Sequence, residues 1–439
     1  VFDIGKTNKK FFLFDKDFQE VYREYTRFEN IKDEDGYPTE DLERLKTWLK
    51  EVFDRILDAK EYNITAINFS SYGASLVHLD ENDEVVTPLY NYTKEISQEI
   101  IDSFYEKYGP KLDFALATGS PVSGLLNSGI QLYWLKHTKP EIFKRIKYSL
   151  HLPQYLSFIF TGIPVSEHTS IGCHTALWDY NKKDYHDWVY KEGIYKILPK
   201  IVSTETSINM NYNGKRIKIG VGIHDSSAAL LPYVRSVRKK FILVSTGTWS
   251  ITMNPFSEEA LKDSDIDKNC INYMRINGKA VKASSLFLGN EYNEQVKMLS
   301  EHFQVSSEYH KTIRFNHDIY LEIIKDFEYM YRWVSISDER MPESTKIPYD
   351  NYEHAYHQLV VELVLLQVEC IKTVSGKDNI ERLYIDGGFT DNDVYIQLIS
   401  HYLRNMRLST TDSSLGSALG AALCISDVRL NSKFLRKNY

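Results

Sequence analysis

An apolar strand that runs into a short polar turn containing glycine, then out into a second apolar strand, occurs twice in this chain. The first copy is Asp3-Ile4-Gly5-Lys6-Thr7 followed by Phe11–Phe14. The second is Ser245-Thr246-Gly247-Thr248 followed by Trp249–Met253. Two such hairpins, about 240 residues apart and each opening a region of interleaved strands and helices, call for two related units rather than one core. Length agrees, since 439 residues exceed one ordinary core and a prior of roughly 100–200 residues per domain gives two or three. No period of about 20–50 residues is visible, which excludes solenoids and propellers.

Composition narrows the function classes. Lys plus Arg is 53 against 60 for Asp plus Glu, a net charge of -7. A nucleic-acid binder normally shows a basic excess, so none is expected as a partner. An anionic ligand must then be held by local geometry. No run approaches the ~18 apolar residues of a spanning helix, so no membrane partner is expected. Cys173, Cys270, Cys370 and Cys424 form no CxxC pair and read as buried hydrophobes in a reducing, cytoplasmic setting. Val1-Phe-Asp-Ile-Gly5 lacks the features of a signal peptide. Val1 is not a start methionine, so a few residues are expected ahead of it.

Pattern along the chain places further elements. Residues 41–60 read as a helix, 63–69 as one strand, and 76–79 with 84–86 as a hairpin around Asp80-Glu81-Asn82-Asp83. Residues 98–160 read as largely helical. Strands are expected at 216–222 and 241–244, with the solvated connector 235–240 between the two units. A long buried helix follows at 356–374, then a strand at 380–385, a helix capped by Asp391, and a small-residue helix at 416–425.

Four places carry candidate chemistry. Gly5-Lys6-Thr7 looks like the tail of a P-loop, yet Phe11-Phe12-Leu13-Phe14 continues as strand where a P-loop requires a helix. A strand–turn–strand hairpin still cradles phosphate when successive N–H groups converge at a glycine turn; otherwise it is a plain surface turn. Thr7 and Asn8 add neutral donors, Lys10 adds a cation, and Asp3 is suited to magnesium. Ser245–Thr248 offers a second nest of the same kind. At His224-Asp225-Ser226-Ser227 an aspartate sits at a strand-to-helix turn, either as an N-cap or as a general base toward a substrate hydroxyl. Asp386-Gly387-Gly388 allows close backbone approach to a flat ligand or makes a tight turn. No GxGxxG, HExxH, GxSxG or spaced Cys/His set occurs.

Together these segments resemble the FGGY family of carbohydrate kinases. Asp3 through Lys10 is similar to the first phosphate motif, and Phe69-Ser70-Ser71-Tyr72-Gly73 through Asp80 to the sugar-contacting segment. Gly222 through Ser226 is similar to the catalytic aspartate motif, Ser245 through Ser250 to the second phosphate motif, and Asp386 through Asn392 to the adenosine motif. Gly416 through Ala422 is similar to the helix that closes such chains. The resemblance implies an α/β protein of two ribonuclease-H-like (actin-like ATPase) domains, 1–235 and 236–439, flanking a nucleotide cleft. It implies ATP and Mg²⁺ as cofactors and a sugar as substrate. Asp225 is then the base, and Asp3 and Asp225 are the metal carboxylates. Ser71, Tyr72, Gly73, His224 and Asp225 would line the sugar. Thr7, Asn8, Lys10, Thr246, Gly247 and Thr248 would face phosphates, and Gly387, Gly388 and Asn392 the adenosine.

Within that family the His-Asp-Ser triplet and Ser-Thr-Gly-Thr-Trp-Ser are most similar to rhamnulokinase and fuculokinase relatives, which points to a deoxyketose. Xylulose and glycerol kinases usually carry Gln-Met-His-Gly or a similar run where this chain has Ser71-Tyr72-Gly73. Lys10 replaces an arginine common in relatives and binds phosphate as a point charge rather than a fork. Relatives are often homodimers, though no stretch here reads as an interface. Two rivals stay open: an actin- or chaperone-like ATPase without a sugar substrate, and a catalytically silent sugar binder.

Overall fold

A computed structural model describes residues 1–439 except Lys60, Glu258, residues 412–415, residues 427–434 and Tyr439; for residues 435–438 it describes the backbone. Two sheets organise the chain. In the first, Phe2–Ile4 pairs antiparallel with Lys9–Phe14, which pairs with Glu20–Thr26; Phe69–Ser71 and then Ile223–His224 add on the other side in parallel. The spatial order is third, second, first, fourth, fifth. The second sheet repeats it with Ala280–Leu286, Ser250–Asn254, Phe241–Thr246, Arg382–Gly387 and Arg407–Thr411. It is wider by Cys270–Met274 at one edge and Leu435–Asn438 at the other.

Alternation explains why these segments pair. Phe2, Ile4, Phe11, Leu13 and Phe69 bury against the helix Leu42–Asp58, whose Leu45, Leu49, Val52, Phe53 and Ile56 recur at helical spacing. Each such side chain contributes about 1.5–3 kcal/mol relative to exposure. Asp41 caps that helix by accepting from the Arg44 N–H at 2.9 Å. In the second unit the helix Tyr352–Ser375 is buried on nearly every face because the sheet and two further helices, Leu288–His302 and His317–Lys325, enclose it. The helices Gln98–Tyr108, Lys111–Thr118 and Ser128–Thr138 contribute to a third cluster on the first unit, while Leu152–Thr161 packs into the core beneath the first sheet.

The units touch through two helices. Gly416–Cys424 lies on Asp225–Ser236 so closely that a Cβ on Gly420 would stand 1.8 Å from the Ala228 carbonyl oxygen. The edge strand Cys270–Met274 also reaches the first unit, where Ser227 Oγ donates to the Met274 carbonyl at 2.8 Å.

Several expectations are corrected. Residues 63–69 are two short strands in different sheets, Ala66–Ile67 and Phe69–Ser71, broken at Asn68. The buried Asn68 amide donates to Ala421 O at 2.8 Å and accepts from Gly222 N at 3.1 Å, which turns the chain there. Leu76–Leu79 takes Tyr148–His151 as a further partner, while the 84–86 arm folds back on it as expected, with Asp80 N–H donating to Glu84 O at 3.0 Å, Val86 N–H to His78 O at 2.9 Å and a bridge between Leu79 and Val85. Asp391 ends a 3₁₀ turn, so Asn392 caps the helix Asp393–Tyr402, accepting from Tyr395 N at 3.1 Å. Arg235 is no solvated connector: it lies in a helix and donates to the Leu423 and Ser426 carbonyls at 2.6 Å each. All four cysteines are free, three of them buried and Cys370 half-buried. Among the described residues no helix is long and apolar enough to cross a membrane.

Candidate functional site

The first hairpin turns at residues 5–8, where Gly5 N–H donates to Asn8 O at 3.0 Å. Lys9 folds beneath the turn and donates to the carbonyls of Gly5 at 3.0 Å and Lys6 at 3.1 Å, while pairing with Glu40 at 2.6 Å. Thr7 is exposed at the tip. Asn8 Oδ1 accepts from Arg27 Nε at 2.6 Å, which turns the amide so that Nδ2 is the end Arg27 does not use. Asp3, one register pair across from Lys10, is buried; Ser417 Oγ donates to it at 2.9 Å and Lys10 Nζ lies 3.6 Å away.

The second hairpin closes with Gly247 N–H donating to Trp249 O at 2.8 Å. The first turn of the helix Leu288–His302 clamps it, for the Gly289 and Asn290 N–H groups both donate to Thr248 O at 3.1 Å. Thr246 is buried, and its hydroxyl donates to Asp386 O and accepts from Phe389 N, so it ties the hairpin to the next strand. Gly387 is required there: its φ is +93°, and a Cβ would lie 1.6 Å from Thr246 O. Trp249 at the tip is 42% exposed beside Phe287.

Residues from both units meet at one cavity of about 680 Å³, lined by Asn8, Lys10, Tyr25, Thr26 and Arg27 on one side and Thr246, Gly387 and Gly388 on the other. A second cavity of about 690 Å³ shares Gly388 and includes Gly247, Thr248, Tyr292, His310, Arg314, Tyr356, Phe389 and Asn392. Asn392 Nδ2 donates to Tyr356 Oη at 2.9 Å while its Oδ1 caps the helix, so both ends of its amide serve the wall.

Asp225 is the first residue of the helix Asp225–Ser236 rather than its cap. Its Oδ1 accepts from the N–H of Ser226 at 2.6 Å and from that residue's hydroxyl at 3.2 Å. Recess into the cleft, then the nearby charge of Asp3, pushes its carboxyl up to about 7, although solvent still reaches 35% of the side chain. His224 beside it is buried and its ring is held to about 3, hence neutral. The ring Nε2 lies 3.1 Å from Cys173 Sγ and 3.4 Å from Asp225 Oδ1, and the ring stacks on Tyr273 from the second unit. Gly73 packs against this pair, since a Cβ there would stand 2.9 Å from His224 Nε2 and 3.1 Å from Cys173 Sγ. Ser71 is fully buried with its hydroxyl donated to Ile4 O at 3.1 Å. Tyr72 Oη donates to Glu40 Oε1 at 2.6 Å.

Sequence reading missed Arg27, Glu40, Cys173, Tyr273 and the aromatic wall of Tyr292 and Tyr356. They are joined to the site by distant contacts with no local pattern.

The sequence profile of the FGGY family of carbohydrate kinases, N-terminal domain, matches residues 1–230. A rhamnulokinase of Oceanobacillus iheyensis is 24% identical over 245 residues, which cover 52% of this chain and 49% of that one. The chain spans about half the length of the curated relatives it matches. A carbohydrate kinase from Novosphingobium aromaticivorans has a similar structure, with a TM-score of 0.79 and 22% identity over 99% of this chain and 95% of that one. A ligand-bound xylulose kinase from Lactobacillus acidophilus gives a TM-score of 0.80 at 16% identity, over 100% and 92%. At such identities the likeness speaks to the fold, the two-domain actin-like ATPase architecture already visible in the matching order of the two sheets. Because the profile spans more than half of the sequence, the chain belongs to the FGGY family of carbohydrate kinases.

Proposed function

We propose that this chain is an ATP-dependent sugar kinase that moves the γ-phosphoryl group of ATP to a hydroxyl of a ketose, a deoxyketose such as L-rhamnulose or L-fuculose. The observation that carries the reading is that Asp225 lies within reach of the charge of Asp3, whose neighbour Lys10, 3.6 Å away, lines a cavity to which both units contribute. The 24% identity to a rhamnulokinase supports the deoxyketose. We assign residues 1–235 and 236–439 to the two domains; the helix that ends at Ser236 and the strand that begins at Phe241 support that division.

In this reading Asp225 accepts the hydroxyl proton as the sugar oxygen bonds to the γ-phosphorus. The bond from that phosphorus to the β–γ bridging oxygen breaks, and the electron pair leaves on ADP. A carboxyl near 7 is matched to that task, being ionised in part at neutral pH yet basic enough to take the proton. Tyr72, Gly73 and His224 shape the sugar side, with Ser71 supporting them from the strand beneath. Lys10, Asn8 and the amides of both turns hold the phosphates, with Thr7 and Thr248 at the tips. Gly387, Gly388 and Asn392 border the adenosine.

Magnesium fits the donor set. It is usually held by one or two carboxylates together with phosphates and water, and Asp3 and Asp225 supply two; among the described residues no group of three or more ligating side chains occurs. Bound there, it would neutralise charge on the phosphates.

The test is ADP release from Mg-ATP over a panel of L- and D-ketoses, deoxyketoses and polyols. Stimulation by the deoxyketoses is expected, with Asp225→Asn lowering the rate about 10²–10⁴-fold while nucleotide still binds. Equal release with every sugar and with none would sink the reading and favour an ATPase that couples hydrolysis to conformational change.

A further inference from the structure

Glu40 stands outside every motif, at the residue before the cap of the helix Leu42–Asp58, and is 6% exposed. Its two oxygens reach opposite ways. Oε2 pairs with Lys9 Nζ at 2.6 Å, and Oε1 accepts from Tyr72 Oη at 2.6 Å. Lys6 Nζ lies 3.4 Å from the same Oε1 and over the rings of Tyr72 and Tyr92, at 5.3 Å from each centroid. One buried carboxylate therefore joins the phosphate turn to the segment expected to line the sugar.

Lys9 is held from two directions, by the turn carbonyls and by Glu40. Its ammonium donates to Gly5 O and Lys6 O, and Glu40 Oε2 stands 2.6 Å away as its counter-charge. A peptide group is planar and trans, so a carbonyl held in one direction aims the next residue's N–H the opposite way. By gripping the Gly5 and Lys6 carbonyls from below, Lys9 directs the N–H groups of Lys6 and Thr7 away from itself, as an anion nest requires. Lys9 is 2% exposed and holds that position only while a negative partner compensates its charge.

We propose that Glu40 is a positioning residue that couples the sugar segment to the phosphate turn, through Tyr72 on one oxygen and Lys9 on the other. The inference rests on the kinase reading for its meaning. When the Tyr72 hydroxyl is removed, Glu40 loses a donor, Lys9 loses its fixed counter-charge, and the nest loses its aim.

A double-mutant cycle on nucleotide affinity tests it, with the full chain, Mg²⁺ and AMP-PNP as the probe, measured by calorimetry. Tyr72→Phe makes no change at the turn itself and deletes one hydroxyl, so it is the gentler variant; Glu40→Gln keeps an acceptor for Tyr72 and removes the charge. Each is expected to weaken Mg-AMP-PNP binding about tenfold, and the double variant about tenfold as well, because all three cut the same path. Tyr72→Phe at wild-type affinity, or a double variant about a hundredfold weaker, overturns the coupling. A lower melting temperature with unchanged affinity assigns the cluster to stability alone and also overturns it. Failure of the kinase reading looks different: nucleotide binds, no sugar stimulates ADP release, and the affinity cycle still decides the coupling. A wild-type chain that takes up no Mg-AMP-PNP overturns the coupling too.

Discussion

The turn at residues 5–8 and the turn at 247–249 close hairpins of the same topology, each on the first two strands of a sheet with the same order. Different forces hold them. Around the first turn stand Asp3, Lys6, Lys9, Lys10 and Glu40, and its carbonyls are gripped by a buried ammonium. The second turn itself carries no charged residue; it is fixed by backbone amides of the next helix and by the Thr246 hydroxyl. The glycines differ as well. A Cβ on Gly5 would meet only Asn8 O at 3.1 Å, and one on Gly247 only Trp249 O at 3.8 Å. The glycines that the second hairpin cannot lose are Gly289 and Gly387, outside the turn, where a Cβ would stand 1.9 Å and 1.6 Å from its backbone oxygens. Duplicated topology thus leaves the means of support free to diverge: charge under one turn, close backbone approach around the other.

The largest break in that comparison is Gly387→Ala. Its φ of +93° and the collision with Thr246 O leave the backbone nowhere to move, so a loss of about 4 kcal/mol or more in urea unfolding is expected. Gly5→Ala, with its single 3.1 Å contact and no left-handed φ, is expected to cost about 1 kcal/mol. Equal losses would mean that both hairpins depend on glycine alike. Next comes Lys9→Met, which leaves Glu40 buried without its closest cation and is expected to cost about 3 kcal/mol. Adding Glu40→Met should recover part of it, since the pair is then replaced by apolar volume. A further loss in the double variant would mean that the charges are not what supports the turn.

Smaller effects separate the hairpins by salt. Lys10→Gln is expected to weaken Mg-ATP about tenfold at low ionic strength and less at high salt, because a partly exposed charge is screened. Thr248→Ala removes a neutral hydroxyl, and its effect of about threefold should not change with salt. Calorimetric titrations at two salt concentrations decide it; parallel salt slopes for the two variants would erase the distinction between the turns.

Both hairpins were legible because their signal is local: alternating apolar residues, a glycine turn, then more strand. Asp225 was legible for the same reason, a strand end followed by small residues, although the fold makes it the first helical residue instead of the cap. What failed in sequence is what depends on distance. The strand expected at 63–69 breaks because the Asn68 amide bonds Ala421, 353 residues away. Glu40 and Arg27 reached the site through Lys9, Tyr72 and Asn8, and Tyr273 came from an edge strand of the other unit. No periodicity records such partners, so the motifs supplied the candidate residues and not the contacts that hold them.

The contrast between charged and neutral support extends to two buried glutamates, and there pH is the probe. Burial pushes the Glu192 carboxyl up, but Lys107, Lys136 and Tyr108 outweigh it and hold it at about 2. In the second unit Glu362 has only neutral donors, Met330 N at 2.7 Å, Tyr331 N at 3.3 Å and Gln358 Nε2 at 2.7 Å, and burial prevails, raising it to about 8. The signs are opposite. A lowered carboxyl gives stability that is complete above its ordinary value near 4.5 and is lost as pH falls toward 2. A raised carboxyl holds a proton that the unfolded chain has released, so its stability is complete below about 4.5 and is lost as pH rises through 8. Urea unfolding across the pH range should therefore weaken at both ends, with Glu192→Gln flattening the acid limb and Glu362→Gln the alkaline one. If Glu362→Gln leaves the alkaline limb unchanged, Glu362 is ionised in the folded chain and its neutral donors suffice to carry the charge.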